Sequence, residues 1–241
     1  MRYILFLFLS YSFIFAFNLQ PTPSSIIWTD TEKAVINKGN LKLGQSGIVL
    51  HKFENNQEMI LTRGVVTKTN ENNSTIKFTI DDIIVQNAIP TTNLKPSAGD
   101  TFLLNHLYDT TLLIVPNFEV NKKIKTVFYN LRYIETDTLA GFLKINNAPV
   151  PSMSLFQRFA KEHNIGLLLF VVHNKLHVVD SISLKILESF PITYKNSSTS
   201  LPFYTNVEGI QTGVFDFFGE DSIKDYHKYY TKLLGLNNDG K

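Results

Sequence analysis

Hydrophobic and polar residues alternate along much of the first half of the chain, and this pattern predicts short β-strands. The alternating or β-branched-rich segments are residues 46–53, 58–69, 74–80, 101–107 and 110–115. Asn-rich turns separate the first three segments, and Tyr108-Asp109 joins the last two as an expected strand pair. Residues 17–32 form a polar lead-in that contains prolines. Five short strands with close turns predict a small β-barrel or a sandwich.

The pattern changes after Pro116-Asn117, where helical spacing of apolar residues replaces strict alternation. Helices are predicted over residues 118–130, 136–145, 151–164 and 220–234. An unbroken apolar run at 166–172 indicates a strand that is buried on both faces. Residues 176–180 and 184–192 extend this strand to a three-strand meander.

The two halves together predict an α+β protein that packs as one unit. Residues 17–117 make up the β-rich part, a small barrel or sandwich, and residues 118–241 make up a mixed α/β part with a meander and a C-terminal helix. Ser152 or Ser154 is predicted to cap the helix over 151–164. Thr136 or Asp137 is predicted to cap the helix before it.

The first sixteen residues have the order of a secretory signal peptide. Arg2 provides a positive charge, residues 3–15 are almost entirely apolar, and Ala16 is a small residue at the expected cleavage site. The apolar run of about 13 residues is shorter than the ~20 that a membrane-spanning helix needs. We therefore expect an exported protein of the bacterial cell surface or periplasm, whose mature chain begins near Phe17 and has no transmembrane segment. Cleavage after Ser12 and an uncleaved membrane anchor are the alternatives.

The composition excludes several classes of protein. The chain has no cysteine, which rules out disulfide bonds, a thiol nucleophile and a cysteine-ligated metal. Its formal net charge is +2, with both signs interspersed, and Arg occurs at only four positions. Binding to a nucleic-acid backbone needs a concentrated basic surface, in which Arg is the preferred residue. Nucleic acid is therefore not an expected partner.

Three groups of side chains could form a metal site or a catalytic site, and each has a simpler explanation. His173, His177 and Asp180 flank a predicted hairpin turn and could hold a metal, although polar residues at a hairpin tip are the favoured interpretation. The Gly-Gln-Ser-Gly sequence at 44–47 lacks the Gly-x-Ser-x-Gly spacing of a nucleophilic serine. Asp81-Asp82 fits a capped or solvated turn after a strand better than a catalytic carboxylate pair. We expect no enzyme activity, no metal and no cofactor.

Asn73 lies in a glycosylation sequon. The sequence Asn73-Ser74-Thr75 matches Asn-x-Ser/Thr within a predicted turn, and Glu71 adds an acidic residue two positions before the asparagine. Some bacterial periplasmic N-glycosylation systems need that acidic residue. We expect Asn73 to be glycosylated where the host has such a system, and an unshifted intact mass from the native host would contradict this expectation.

Several segments of the chain are similar to those of a known family. They are the run from Ala98 to Asn117, Pro149-Val-Pro151, Phe156 to Ile165, the following Gly166 to Val172, Val179 to Phe190, and the final segment with Phe217-Phe218 and Tyr229-Tyr230. Together they cover most of the mature chain and resemble the N-terminal domain family of bacterial plasminogen-binding proteins. They are structural signatures rather than catalytic motifs, so they indicate the family without indicating a site.

The resemblance implies an exported, non-enzymatic surface receptor that captures host plasminogen in a lysine-dependent way, which is a host–pathogen or virulence function. Lys241 follows a polar tail at 237–240, and a C-terminal lysine presents an ammonium and a carboxylate on one residue. The kringle modules of plasminogen recognise this pair of charges, so Lys241 is the expected contact. The resemblance also implies a Lys-rich extension after this domain in longer members. The alternative function is a periplasmic structural or assembly factor whose barrel binds another envelope protein.

Overall fold

The computed structural model of the chain describes residues 19–79, 93–148, 150–195, 199, 201–207 and 223–236. Its strands are β1 (Thr22–Thr29), β2 (Lys33–Ile36), β3 (Ser46–Lys52), β4 (Glu58–Thr69), β5 (Ser74–Thr79), β6 (Thr101–Leu104), β7 (Thr110–Ile114), β8 (Arg132–Ile134), β9 (Leu167–Val172), β10 (Lys175–Asp180) and β11 (Ile186–Pro191). Its helices are α1 (Phe118–Val127), α2 (Thr136–Ile145), α3 (Met153–Glu162) and α4 (Tyr226–Leu233). The predicted signal peptide and Asp81-Asp82 lie outside the described residues. Among the helices that the structure describes, none has the length and apolar character needed to cross a membrane.

The first six strands close into a barrel in the order β1-β2-β5-β4-β3-β6, with all neighbours antiparallel. Alternate residues point inward, because successive side chains of a strand lie on opposite faces. The interior is apolar and includes Ile26, Ile36, Val49, Ile76, Phe102 and Leu104. The predicted β-rich first half is therefore confirmed, and it is a barrel rather than a sandwich.

The lead-in contains a strand, which corrects the prediction for residues 17–32. β1 runs through this segment and pairs with β2 on one side and with β6 on the other, so it closes the barrel. β2 is a further strand that the alternation did not indicate. Only Ser24 and Ile26 of β1 are buried. Most of its side chains contact solvent, so its strand structure depends on pairing with both neighbours.

The second half is built on a five-stranded sheet in the order β11-β10-β9-β7-β8. The antiparallel meander of β9, β10 and β11 confirms the prediction. β7 pairs in parallel with β9 and also with β8, a short strand that the sequence did not indicate. Every residue of β7 and of β9 is buried, as expected of central strands that are covered on both faces.

The expected pairing of 101–107 with 110–115 is wrong. β6 pairs with β1 and β3 in the barrel, whereas β7 lies in the second sheet. Between them, Asn105 and Leu107 have left-handed backbone conformations with φ of 60° and 66°, and the chain turns here from the barrel to the sheet. β7 thus belongs to the second sheet although it precedes residue 117, the predicted division between the halves.

Helices cover both faces of the second sheet. α1 packs on the face that carries Leu167 and Leu169. α2, α3 and α4 pack on the opposite face, which carries Leu168 and Phe170. The alternating side chains of β9 therefore contribute to two apolar layers, one on each side of the sheet.

The helix caps agree with the sequence prediction for α3 but not for α2. The Ser152 hydroxyl accepts a hydrogen bond from the backbone amide three positions later at 3.3 Å, which caps α3 as predicted. The N-cap of α2 is Glu135, which makes no side-chain cap bond. Thr136 and Asp137 instead form hydrogen bonds with the segment 204–206, and they hold this segment against the start of α2.

Candidate functional site

Asp180 is the centre of a buried polar cluster where the barrel meets the second sheet. It ends β10, whereas Ser46 begins β3 and Tyr108 lies just before β7. One Asp180 oxygen accepts hydrogen bonds from the Ser46 hydroxyl at 2.5 Å and from the Tyr108 hydroxyl at 2.7 Å. The other oxygen accepts from the backbone amides of Ile182 and Ser183 at 3.0 and 2.6 Å. The cluster therefore joins the two sheets.

The electrostatics of this cluster indicate a structural role. Asp180 is fully buried, and burial raises the pKa of its carboxyl, although hydrogen bonds from Ser183, Ser46 and Tyr108 oppose the rise. Burial and the neighbouring carboxyl raise the pKa of Tyr108 well above its usual value. The Ser46 hydroxyl is buried and donates to a carboxylate rather than to a histidine base. The cluster holds the fold together and presents no nucleophile to solvent.

The three candidate metal ligands of the β9–β10 hairpin have separate partners. His173 contacts α4, His177 Nδ1 lies 2.8 Å from the Ser189 hydroxyl, and Asp180 binds the barrel. Within the described ranges no group of three His, Asp or Glu side chains is placed to hold a metal. The hairpin-tip interpretation is correct for His173 alone among these residues, because His177 and Asp180 are buried within β10 and Asp180 lies at the end far from the turn.

His173 and His227 form a stacked pair that fixes α4 on the sheet. Their ring centroids are 5.0 Å apart, and their planes are 19° from parallel. His227 Nδ1 accepts a hydrogen bond from the His173 backbone amide at 2.9 Å, so this nitrogen carries no proton. Thr231 donates its hydroxyl proton to the His227 carbonyl at 2.7 Å and therefore accepts from His173 Nε2 at 3.2 Å. Burial, followed by the charge of His173, lowers the pKa of His227, which favours the neutral form that this contact needs.

Three exposed lysines lie in α4 or immediately before it. Lys228 and Lys232 are four residues apart within α4, a spacing that places helical side chains on one face, and Lys224 precedes the helix cap Asp225. Tyr226 and Tyr230 are fully buried against the second sheet. The three lysines, which we call the α4 lysine row, make no ion pair with any residue that the structure describes.

The α4 lysine row concentrates positive charge beside one carboxylate. Asp225 caps the helix, because its Oδ1 accepts a hydrogen bond from the Lys228 amide at 2.8 Å, and its side chain is exposed. Like charges at a spacing of four destabilise an isolated helix by about 0.2–0.5 kcal/mol per pair. Within α4 this repulsion acts between Lys228 and Lys232, and the position of Lys232 in the last turn, at the negative end of the helix dipole, opposes it. The exposed ammonium groups of the row are available to a partner that recognises lysine side chains.

Comparison with known proteins identifies the family. The family model described as "Plasminogen-binding protein pgbA N-terminal" matches residues 21–234. The chain belongs to this family. Similar relatives include the plasminogen-binding protein PgbA of Helicobacter pylori strain J99, which is 27% identical over 219 residues, and that of strain 26695, which is 26% identical over the same length. Each match covers 89% of this chain and 48% of the relative, so the chain spans about half the length of the curated relatives it matches.

The structure describes one of the two predicted site residues, Asn73. Lys241 lies outside the described residues. Asn73 lies in the turn between β4 and β5 and is half-buried. The Asn70 side chain accepts hydrogen bonds from the amides of Asn72 and Asn73 at 2.9 and 2.8 Å, and its Nδ2 donates to Asn73 Oδ1 at 2.8 Å. Glycosylation of Asn73 stays a prediction.

The α4 lysine row was not predicted, although its signal is present in the sequence. Lysine recurs every fourth residue from 224 to 232, inside the helix predicted over 220–234. Apolar and aromatic residues between these positions determine which face of the helix is buried. Reading the polar face of the same helix with the same spacing would have indicated the row.

Proposed function

We propose that this domain is an exported, non-enzymatic binding protein that captures plasminogen through exposed lysine side chains. Membership of the PgbA N-terminal family supports the choice of partner, and the order of residues 1–16 supports export to the bacterial cell surface or the periplasm. The observation that carries the proposal is the α4 lysine row, in which Lys228 and Lys232 are exposed on one face of a docked helix and Lys224 is exposed just before it. The proposal concerns this domain, which matches about half of each relative.

The chemistry of the α4 lysine row fits the lysine-binding sites of plasminogen kringles. Such a site takes an ammonium together with a carboxylate, and the row offers both kinds of group through its lysines and Asp225. Because α4 is docked on the sheet by Tyr226 and Tyr230, Lys228 and Lys232 are presented on a rigid element, which reduces the conformational entropy lost on binding. Lys241, the contact expected from the sequence, is the second proposed contact.

The test is binding of the purified chain, residues 17–241, to immobilised plasminogen with and without a soluble lysine analogue. A variant with Lys224→Gln, Lys228→Gln and Lys232→Gln removes the row, and a second variant deletes Lys241. We expect analogue-sensitive binding by the unmodified chain, and a loss of about tenfold or more in affinity when the row is removed, as for a binding hot spot.

The matched control is a variant with Lys52→Gln, Lys68→Gln and Lys77→Gln, which removes three exposed lysines from barrel strands β3, β4 and β5. It changes the net charge by the same amount, so it reports on non-specific attraction. Equal losses in the two triple variants would contradict a specific row. Loss only on deletion of Lys241 would transfer the contact to that residue, and absence of analogue-sensitive binding would contradict the proposed partner.

A second candidate function is a structural or assembly factor that binds another envelope protein through the barrel. The observation that favours it is the pair of adjacent apolar side chains on β1, Ile27 and Trp28, which are 49% and 48% exposed. Retention in the periplasm together with a co-purifying envelope protein would support this function. Loss of the co-purifying protein in an Ile27→Ser, Trp28→Ser variant would assign it to the barrel.

A further inference from the structure

An apolar groove of about 250 Å³ lies between α1 and the edge of the second sheet. α1 forms one wall, and β10, β11 and the residues that follow form the other. Its apolar lining includes Ile124 and Val127 of α1, the helix C-cap Phe128, and Leu176, Phe190 and Ile192 on the sheet side. Ile124, Leu176 and Ile192 are buried, whereas Val127 is 52% exposed and lies where the groove opens to solvent.

A lysine ammonium marks the rim of this groove. Lys123 and Thr193 line it together, and Lys123 Nζ donates a hydrogen bond to the Thr193 carbonyl. This bond uses one of the three donors of the ammonium group and restrains its position. None of the described residues that line the groove is acidic, and Lys123 makes no ion pair with a described residue. The groove therefore combines apolar walls with an uncompensated positive charge at its edge.

We propose that this groove binds a medium-chain aliphatic carboxylate, with the alkyl tail between α1 and the sheet and the carboxylate on Lys123. Small-molecule sites are typically apolar clefts with a few placed polar groups, and this groove has that character. One water-sized group occupies about 30 Å³, close to the volume of one methylene, so the groove accommodates roughly eight such groups. Octanoate matches this volume and supplies one negative charge for the ammonium.

The proposal predicts a dependence on chain length as well as on charge. Each buried methylene group contributes a nearly constant transfer free energy, which corresponds to about fourfold in affinity. Affinity should therefore rise by up to about fourfold per methylene from butyrate to octanoate and level off for longer chains, which project from the groove. Octanol has the same tail without the charge and should bind at least about tenfold more weakly than octanoate.

The experiment titrates the full chain with butyrate, hexanoate, octanoate and octanol, each below its micellar concentration, and follows binding by calorimetry. Lys123→Met removes the ammonium and keeps an apolar stem, and it should reduce octanoate binding to the level of octanol. Lys122→Met is the matched control, because Lys122 is the exposed neighbour on α1 that does not line the groove. It should leave octanoate binding unchanged. Val127→Trp fills the mouth of the groove from an exposed position and should abolish binding of both ligands.

Several outcomes would overturn the proposal. These are the absence of octanoate binding by the folded unmodified chain, equal effects of Lys123→Met and Lys122→Met, and binding that survives Val127→Trp. If octanol binds as tightly as octanoate, the groove is a plain apolar surface for side chains of a partner protein, and carboxylate recognition is wrong. Near-ultraviolet circular dichroism of each variant checks that the tyrosine-rich core is intact.

Discussion

His177 is a buried imidazole whose protonation opposes folding. It lies in β10 and is almost fully buried, and its Nε2 has no hydrogen-bond partner among the described residues. Burial, followed by the charges of Lys175 and His173, lowers the pKa of His177 from 6.5 to about 4. In the unfolded chain the same imidazole titrates near 6.5. Between these values the unfolded chain takes up the proton first, so stability falls as the pH decreases from about 6.5 towards 4.

His177→Leu should therefore reduce the amount by which the free energy of unfolding falls on acidification. The free energy of unfolding of the unmodified chain, measured with denaturant at pH 7 and pH 5, should fall by about 1–2 kcal/mol more than that of the variant. Ser189→Ala is the control, because it removes the hydroxyl 2.8 Å from His177 Nδ1 and keeps the imidazole. It should retain the steep pH dependence. A His177→Leu variant that loses as much stability on acidification as the unmodified chain would contradict the assignment.

At the scale of secondary structure, elements with a strong local pattern were predictable. β4 and α2 occupy the predicted ranges, 58–69 and 136–145, because their alternation or helical spacing is encoded within the segment itself. β1, β2 and β8 have weak patterns and exist because they pair with distant strands. At the candidate site, the four-residue spacing of the lysines from 224 to 232 is present in the sequence, whereas their exposure follows from the packing of Tyr226 and Tyr230 on the second sheet.

Two glycines test how local conformation and tertiary contact compete within these elements. Gly141 lies in α2 with open space at its Cβ position, so Gly141→Ala should stabilise the fold by about 0.5–1 kcal/mol through helix propensity.

A Cβ on Gly166, just before β9, would lie 2.3 Å from the Leu107 carbonyl oxygen. Gly166→Ala should therefore destabilise the fold by about 2–3 kcal/mol, because backbone must move. Denaturant unfolding of Gly141→Ala and Gly166→Ala measures the change in the free energy of unfolding for each variant. Changes of the same sign would contradict this account.

At the scale of the whole molecule, the barrel and the second sheet are joined by contacts that span more than half the chain. Besides the Asp180 cluster, the Ser183 hydroxyl donates to the Gly44 carbonyl at 2.7 Å, and Lys42 forms an ion pair with Glu188 at 2.6 Å. The sequence separations in these contacts are 139 and 146 residues. Local patterns contain no information on such pairs, which is why Asp180 was interpreted from sequence as a hairpin-tip residue rather than as the junction between the two sheets.

Because these contacts join the barrel to the second sheet, we expect the two to unfold together. The chain has one tryptophan, Trp28 in barrel strand β1, whereas Tyr226 and Tyr230 lie in the core of the second sheet. Tryptophan fluorescence and tyrosine near-ultraviolet circular dichroism should therefore report one common transition in the unmodified chain.

Asp180→Ala should separate the two transitions, because it leaves buried donors on both sides of the junction without their acceptor, and it should reduce stability by about 3 kcal/mol. Glu162→Ala is the control, since it removes an exposed carboxylate paired with Arg158 and should change stability by less than about 0.5 kcal/mol. Two transitions in the unmodified chain would show that the junction does not couple the sheets. Coincident transitions and unchanged stability in Asp180→Ala would show that coupling comes from apolar contact alone.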